Sequence, residues 1–124
     1  MNSLEKFGRL VIETIRDKPI HHHILMQQGH WKTPAVQELQ RALASLPPEQ
    51  KELMLKAVTD AVDTALHYFL MALQEAHDRE QGIEVRVDGE NIAERSGMLH
   101  GEHFGEEGWI AKFSKFPQNP MLLG

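Results

Sequence analysis

Asp60, Asp63 and His67 recur at +3 and +4, a spacing that puts three side chains on one stripe of a helix. Carboxylates and an imidazole on such a stripe can ligate a divalent ion, as in helical-bundle carboxylate sites. Those sites draw ligands from several helices, and this sequence has no Glu-x-x-His motif. The stripe therefore reads first as a solvated polar face carrying an Asp63–His67 pair. A second group, His100-Gly101-Glu102-His103 with Glu106, has residue types that suit zinc or another divalent ion. Its spacing matches neither His-Glu-x-x-His nor His-x-x-Glu-His, and its His-x-Glu lacks the cysteines of a deaminase zinc site. Glycines at 97, 101, 105 and 108 make this stretch read as an ordered loop that packs Phe104 and Trp109 onto the body. His21-His22-His23, with His30, is the third group. Consecutive side chains cannot all face one ion on a regular element, so it reads as a partly exposed polar turn. If a metal is held, Asp60, Asp63, His67, His100 and His103 are the candidate ligands.

Other chemistries find little support. The chain has no cysteine, which removes a thiol nucleophile, a Cys-based zinc site and a disulfide scaffold. It has no Gly-x-Ser-x-Gly, and nothing ties Ser96 or Ser114 to a base. The glycine-rich loop lacks a phosphate-cradle pattern, and Glu102, Glu106 and Glu107 would repel an anion. No catalytic or cofactor-binding residue is assigned.

The elements that must position these groups follow from length and pattern. The 124 residues fit a single domain over 1–124. An apolar fraction of 41% and a charged fraction of 25% are ordinary for a globular chain. The net charge of −5 comes with scattered Lys and Arg, which disfavours a nucleic-acid partner. No apolar run reaches the ~18 residues of a membrane span, and no secretory signal pattern opens the chain. The expectation is a cytoplasmic protein with no membrane partner.

The fold expected is mainly α with a minor β part. It is a bundle of three to four helices with one long central helix and a small C-terminal β-hairpin. The helical part is 1–82. Residues 83–116 hold the hairpin, the glycine-rich loop and a short helix, and 117–124 form a tail. Leu4, Phe7, Val11 and Ile15 share a face of the first helix, capped by Asn2 or Ser3 and stopped or kinked by Pro19. Residues 19–32 fit either a short helix ending at Gly29 or an irregular connection. Thr33 and Pro34 open the next helix, with Val36, Leu39, Leu43 and Leu46 as its stripe. The dominant helix covers 48–81. Met54, Leu55, Val58, Ala61, Val62, Ala65, Leu66, Phe69, Ala72, Leu73 and Ala76 form one wide apolar arc. At ~1.5 Å per residue it spans ~50 Å, against a diameter of roughly 35 Å for a compact domain of this size. It must kink, or project and pair with a second copy; a homodimer through the long helix is expected. Ile83, Val85 and Val87 alternate as a strand, Asp88-Gly89 is a turn, and Ile92 opens a return strand.

The stretch Leu99-His100-Gly101-Glu102-His103-Phe104-Gly105-Glu106-Glu107-Gly108-Trp109-Ile110-Ala111-Lys112-Phe113-Ser114-Lys115-Phe116 resembles a C-terminal signature, G-E-x-x-G-E-x-G-W-I-x-x-F-S-K. This signature marks a family of small bacterial proteins without assigned function. Val87–Ile92 and Asp60–His67 are also similar to it, so the resemblance covers roughly the last two-thirds of the chain. It implies a bacterial cytoplasmic origin and carries over no activity. The reading is a small interaction or regulatory protein, accessory or immunity-like, without catalysis or a cofactor. The alternative is a divalent-metal-binding protein or metal-dependent enzyme, with zinc or manganese at the residues above.

Overall fold

A computed structural model describes residues 1–118 of the chain; residues 119–124 of the expected tail lie outside the described part. The first element is one unbroken rod. It comprises α1 (Ser3–Val11), a π-helical stretch (Ile12–Asp17) and α2 (Lys18–Gln27). Asn2 caps it: its side chain accepts from the Glu5 N–H at 2.8 Å and donates to the Glu5 carboxylate at 3.1 Å. Pro19 does not stop the rod but stands in the first turn of α2, which is the short helix that was one of the two readings of 19–32, with Gly29 just past its end at φ 71°. Proline is excluded from an α-helix interior by its missing i→i−4 bond and its clash with the i−4 carbonyl. The wider π turn preceding it changes that pairing.

The π stretch also changes which residues face inward. Val11, Ile12, Arg16, Asp17, Ile20 and His23 are buried, whereas Ile15, expected on the apolar face, is 37% exposed. A charged side chain has taken an interior position because each π turn holds more residues than an α turn.

A 3-10 turn (Pro34–Val36) leads into α3 (Gln37–Ala44). The Thr33 side chain makes no cap bond. Leu39 is exposed and Gln40 is buried, a correction to the expected stripe. The Gln40 amide accepts from the Trp31 N–H and donates to the Trp31 carbonyl, both at 2.9 Å, and so pins the preceding connection to α3.

The long helix, α4, is Pro48–Asp78, 31 residues or ~46 Å. Its inward residues are Thr59, Asp63, Leu66, Leu70, Gln74 and Ala76. The expected arc is therefore only partly the core face. Leu66 and Ala76 are buried and Leu55, Val58, Val62 and Leu73 half-buried, but Met54, Ala61, Ala65, Phe69 and Ala72 are exposed. The inward side instead takes polar residues that have partners: Gln74 accepts from the Leu99 N–H at 2.9 Å, and Asp63 pairs with Arg16.

Arg86–Val87 (β1) and Glu90–Asn91 (β2) pair antiparallel across the Asp88-Gly89 turn. Both turn residues have positive φ, 51° and 82°, as the tight hairpin turn requires. Ile92 does not continue the strand. Asn91 accepts from the N–H groups of Ala93 and Glu94, and this cap starts α5 (Ile92–Ser96). A 3-10 turn (Leu99–Gly101) and α6 (Trp109–Phe113) follow. The core joins Phe7, Val11 and Ile12 of the rod to Leu66 and Leu70 of α4, Ile92, Leu99, Trp109 and Ile110. Gly8 lets the rod meet Trp109, since a Cβ there would lie 2.4 Å from the indole ring. Among the described residues no helix is long and apolar enough to cross a membrane.

Candidate functional site

Two places on α4 collect the residues singled out above: a histidine group beside its inward face, and the apolar face on its far side. Asp63 is 1% exposed and belongs to a buried cluster. Arg16 Nε donates to one carboxylate oxygen of Asp63 at 2.6 Å and Nη2 to the other at 3.3 Å. The remaining guanidinium donors reach Ser114 Oγ at 2.7 Å and the carbonyls of Phe116 at 2.7 Å and Pro117 at 3.1 Å. Asp17 accepts from Ser114 Oγ at 2.5 Å and from the Lys115 N–H at 2.9 Å. All five guanidinium N–H groups have partners, so the cluster ties the rod to α4 and to the segment after α6. Its chemistry is structural. Sequence reasoning missed Arg16, because only the π stretch turns it inward.

One turn further along α4, His67 meets two histidines from the glycine-rich loop. Its ring centroid lies 5.7 Å from that of His100 and 5.4 Å from that of His103. Phe104 packs at 4.0 Å from His103. Thus three of the five candidate ligands, from two distant stretches of sequence, do come together. Asp63 is held away by Arg16, and Asp60 is half-buried on α4. His103 is wholly enclosed. Neither of its ring nitrogens has a hydrogen-bond partner, nor has Nδ1 of His67 or of His100. Burial, followed by the charges of His67, His100 and Arg16, pushes the His103 pKa down to about 4. His103 is accordingly a neutral imidazole at physiological pH. Among the described residues, however, no three His, Asp or Glu side chains are arranged to hold a metal ion.

The triple histidine disperses. His21 is exposed, His22 stacks on Trp31 with centroids 4.8 Å apart, and His23 is buried against Gln27, 2.8 Å away. Burial and the neighbouring His22 lower the pKa of His23. None of the three shares a site with His67, His100 or His103.

The far side of α4 has a different character. At about 100° per residue, Met54, Ala57, Val58, Ala61, Ala65, Tyr68, Phe69 and Ala72 lie within roughly 60° of the direction opposite Asp63. Every residue of that sector between 54 and 72 is in this set, and none is charged. Tyr68 is 62% exposed, Phe69 41% and Met54 36%. The four alanines are exposed, and Val58 is half-buried. The sector is ~27 Å long and ~10 Å wide, on the order of 300 Å², the size at which an apolar patch on a monomer is often functional.

No protein-family model, curated protein or solved structure matches the chain.

Proposed function

We propose that this protein works by association and without catalysis, docking a helical surface on the outward face of α4. The observation that carries the reading is the apolar outward face of that helix. It buries Thr59, Asp63, Leu66, Leu70, Gln74 and Ala76 and exposes Met54, Ala57, Ala61, Ala65, Tyr68, Phe69 and Ala72. Leaving such a face in water costs roughly 25 cal/mol per Å² of apolar surface, and a partner helix removes that cost. The histidine group supports a metal or enzyme reading less well, because Asp63 is engaged by Arg16 and no three ligand side chains among the described residues are arranged to hold an ion. The expected homodimer through the long helix is one form of this association.

Site-specific photo-crosslinking in the source cell tests the reading. A photoreactive residue at Ala61 should yield a protein adduct, which the F69E variant abolishes. The same group at exposed Glu38 on α3 should yield none. Equal labelling from both positions, or none from position 61, would overturn the proposal.

A further inference from the structure

The exposed face of α4 has a finer pattern than apolarity. Met54, Val58, Ala61, Ala65, Tyr68 and Ala72 follow at +4, +3, +4, +3 and +4. That is an a/d heptad seam, with Val58, Ala65 and Ala72 at a and Met54, Ala61 and Tyr68 at d. The flanking e positions are Leu55, Val62 and Phe69, and the g positions are Ala57, Thr64 and Met71. The chain itself packs on the opposite side of α4, through Thr59, Asp63, Leu66 and Leu70. A coiled-coil seam of nearly three heptads therefore faces outward, exposed at five of its six positions and half-buried at Val58.

We infer that the occupant is a second copy of this chain, with the two α4 helices antiparallel about a two-fold axis level with residue 63. Antiparallel coiled coils pair a against d of the partner, and here the layers become Met54 with Ala72, Val58 with Tyr68, and Ala61 with Ala65, each occurring twice. The two largest seam residues each meet a smaller one. The central layers are alanine on alanine, so the helices approach closely there. In parallel register the same residues stack like on like, Tyr68 on Tyr68 between layers of alanine on alanine, which leaves layers of very unequal thickness. Charge at the two ends of the seam argues for self-association: Lys51 and Glu75 continue it at a and d, and the two-fold level with residue 63 sets each opposite the other on the second copy. In coiled coils e and g charges select the partner, and here none of the six is charged. Two copies of a chain of net charge −5 thus meet without like charges opposed across the seam. At about 300 Å² from each copy the seam buries roughly 600 Å² in all, which places the dimer among weak, transient interfaces. This inference rests on the association reading above and names its partner.

The absence of native cysteine makes disulfide trapping a clean test. An equimolar mixture of M54C and A72C proteins should cross-link into a heterodimer under mild oxidation, because the two positions share a layer. Neither variant alone should cross-link, since in antiparallel register the two copies of residue 54 stand ~27 Å apart along the axis. Sedimentation of the unmodified chain should show a monomer–dimer equilibrium. A65E should weaken it at least tenfold while its circular dichroism and melting temperature match the parent. Efficient cross-linking of M54C alone would overturn the antiparallel register. A strict monomer at 100 µM would overturn the second copy as occupant. A monomer that still gives the Ala61 adduct with a different protein in the cell would remove this inference and leave the association reading standing.

Discussion

His103 is enclosed on every side, with neither ring nitrogen hydrogen-bonded. A buried donor or acceptor without a partner costs about 1–3 kcal/mol, and charging the ring costs more. The sign of the pH effect follows. Folding holds the His103 pKa near 4, below the unfolded 6.5. Between those values the unfolded chain binds more protons, so stability rises with pH. The His103 contribution is complete above pH 6.5 and is lost progressively as pH falls toward 4. The loss reaches on the order of 3 kcal/mol at pH 4. Between pH 7 and 5.5 the parent should lose about 1 kcal/mol in urea unfolding. H103L should be no less stable than the parent at pH 7 and show a flatter profile over that interval. A steeper profile, or a mutant several kcal/mol less stable at pH 7, would show that the imidazole has bonding partners when folded.

At the scale of elements, Arg16 and Asp63 hold the rod against α4, and the two side chains are 0% and 1% exposed. Removing one partner of a buried pair leaves an uncompensated charge, typically at 3–5 kcal/mol. D63L should therefore destabilise severely, and R16M by a similar amount. The double variant R16M/D63L should cost less than the sum of the two single changes, because neither member of the Arg16–Asp63 pair is then left charged without the other; the weaker Arg16–Asp17 contact at 4.0 Å is lost with R16M in either background. Additive losses in a thermal double-mutant cycle would disprove the coupling. The same pair marks how far the sequence could be read. The helices and the hairpin turn at Asp88-Gly89 were legible, because periodicity and glycine geometry are local signals; the meeting of His67 with His100 and His103 was not, because it joins two distant stretches of chain. The inward turn of Arg16 was not, since a π stretch has no composition of its own and shifts every later position on the rod. Nor was the burial of Asp63: one-dimensional hydrophobicity assigns polar residues of α4 to solvent, whereas ion pairing and the Gln74–Leu99 bond place Asp63 and Gln74 beside Leu66 and Leu70 on the inward face. The expectation of a projecting or kinked helix came from its length alone; the exposed apolar surface along the flank of α4 was not foreseen, because periodicity assigned that arc to the core.

The whole molecule carries eight histidines and a net charge of −5 with all of them neutral, so its isoelectric point depends on how many accept protons in mild acid. The sequence alone gives about 5.9. Folding withdraws capacity from that titration, because burial lowers the pKa of both His103 and His23. With fewer protons bound at a given pH, the folded chain must reach a lower pH before its charge vanishes. Native isoelectric focusing should therefore place the protein a few tenths of a pH unit below the position it takes in 8 M urea, where every histidine is open to solvent. H103L removes one of the two masked groups from both states and should narrow the gap by moving the urea band down, with the native band nearly fixed. Coincident bands, or a native band on the basic side, would mean that the folded chain leaves these imidazoles free to charge. Solubility should be lowest at the native band's pH, where electrostatic repulsion no longer opposes contact through the uncharged face of α4.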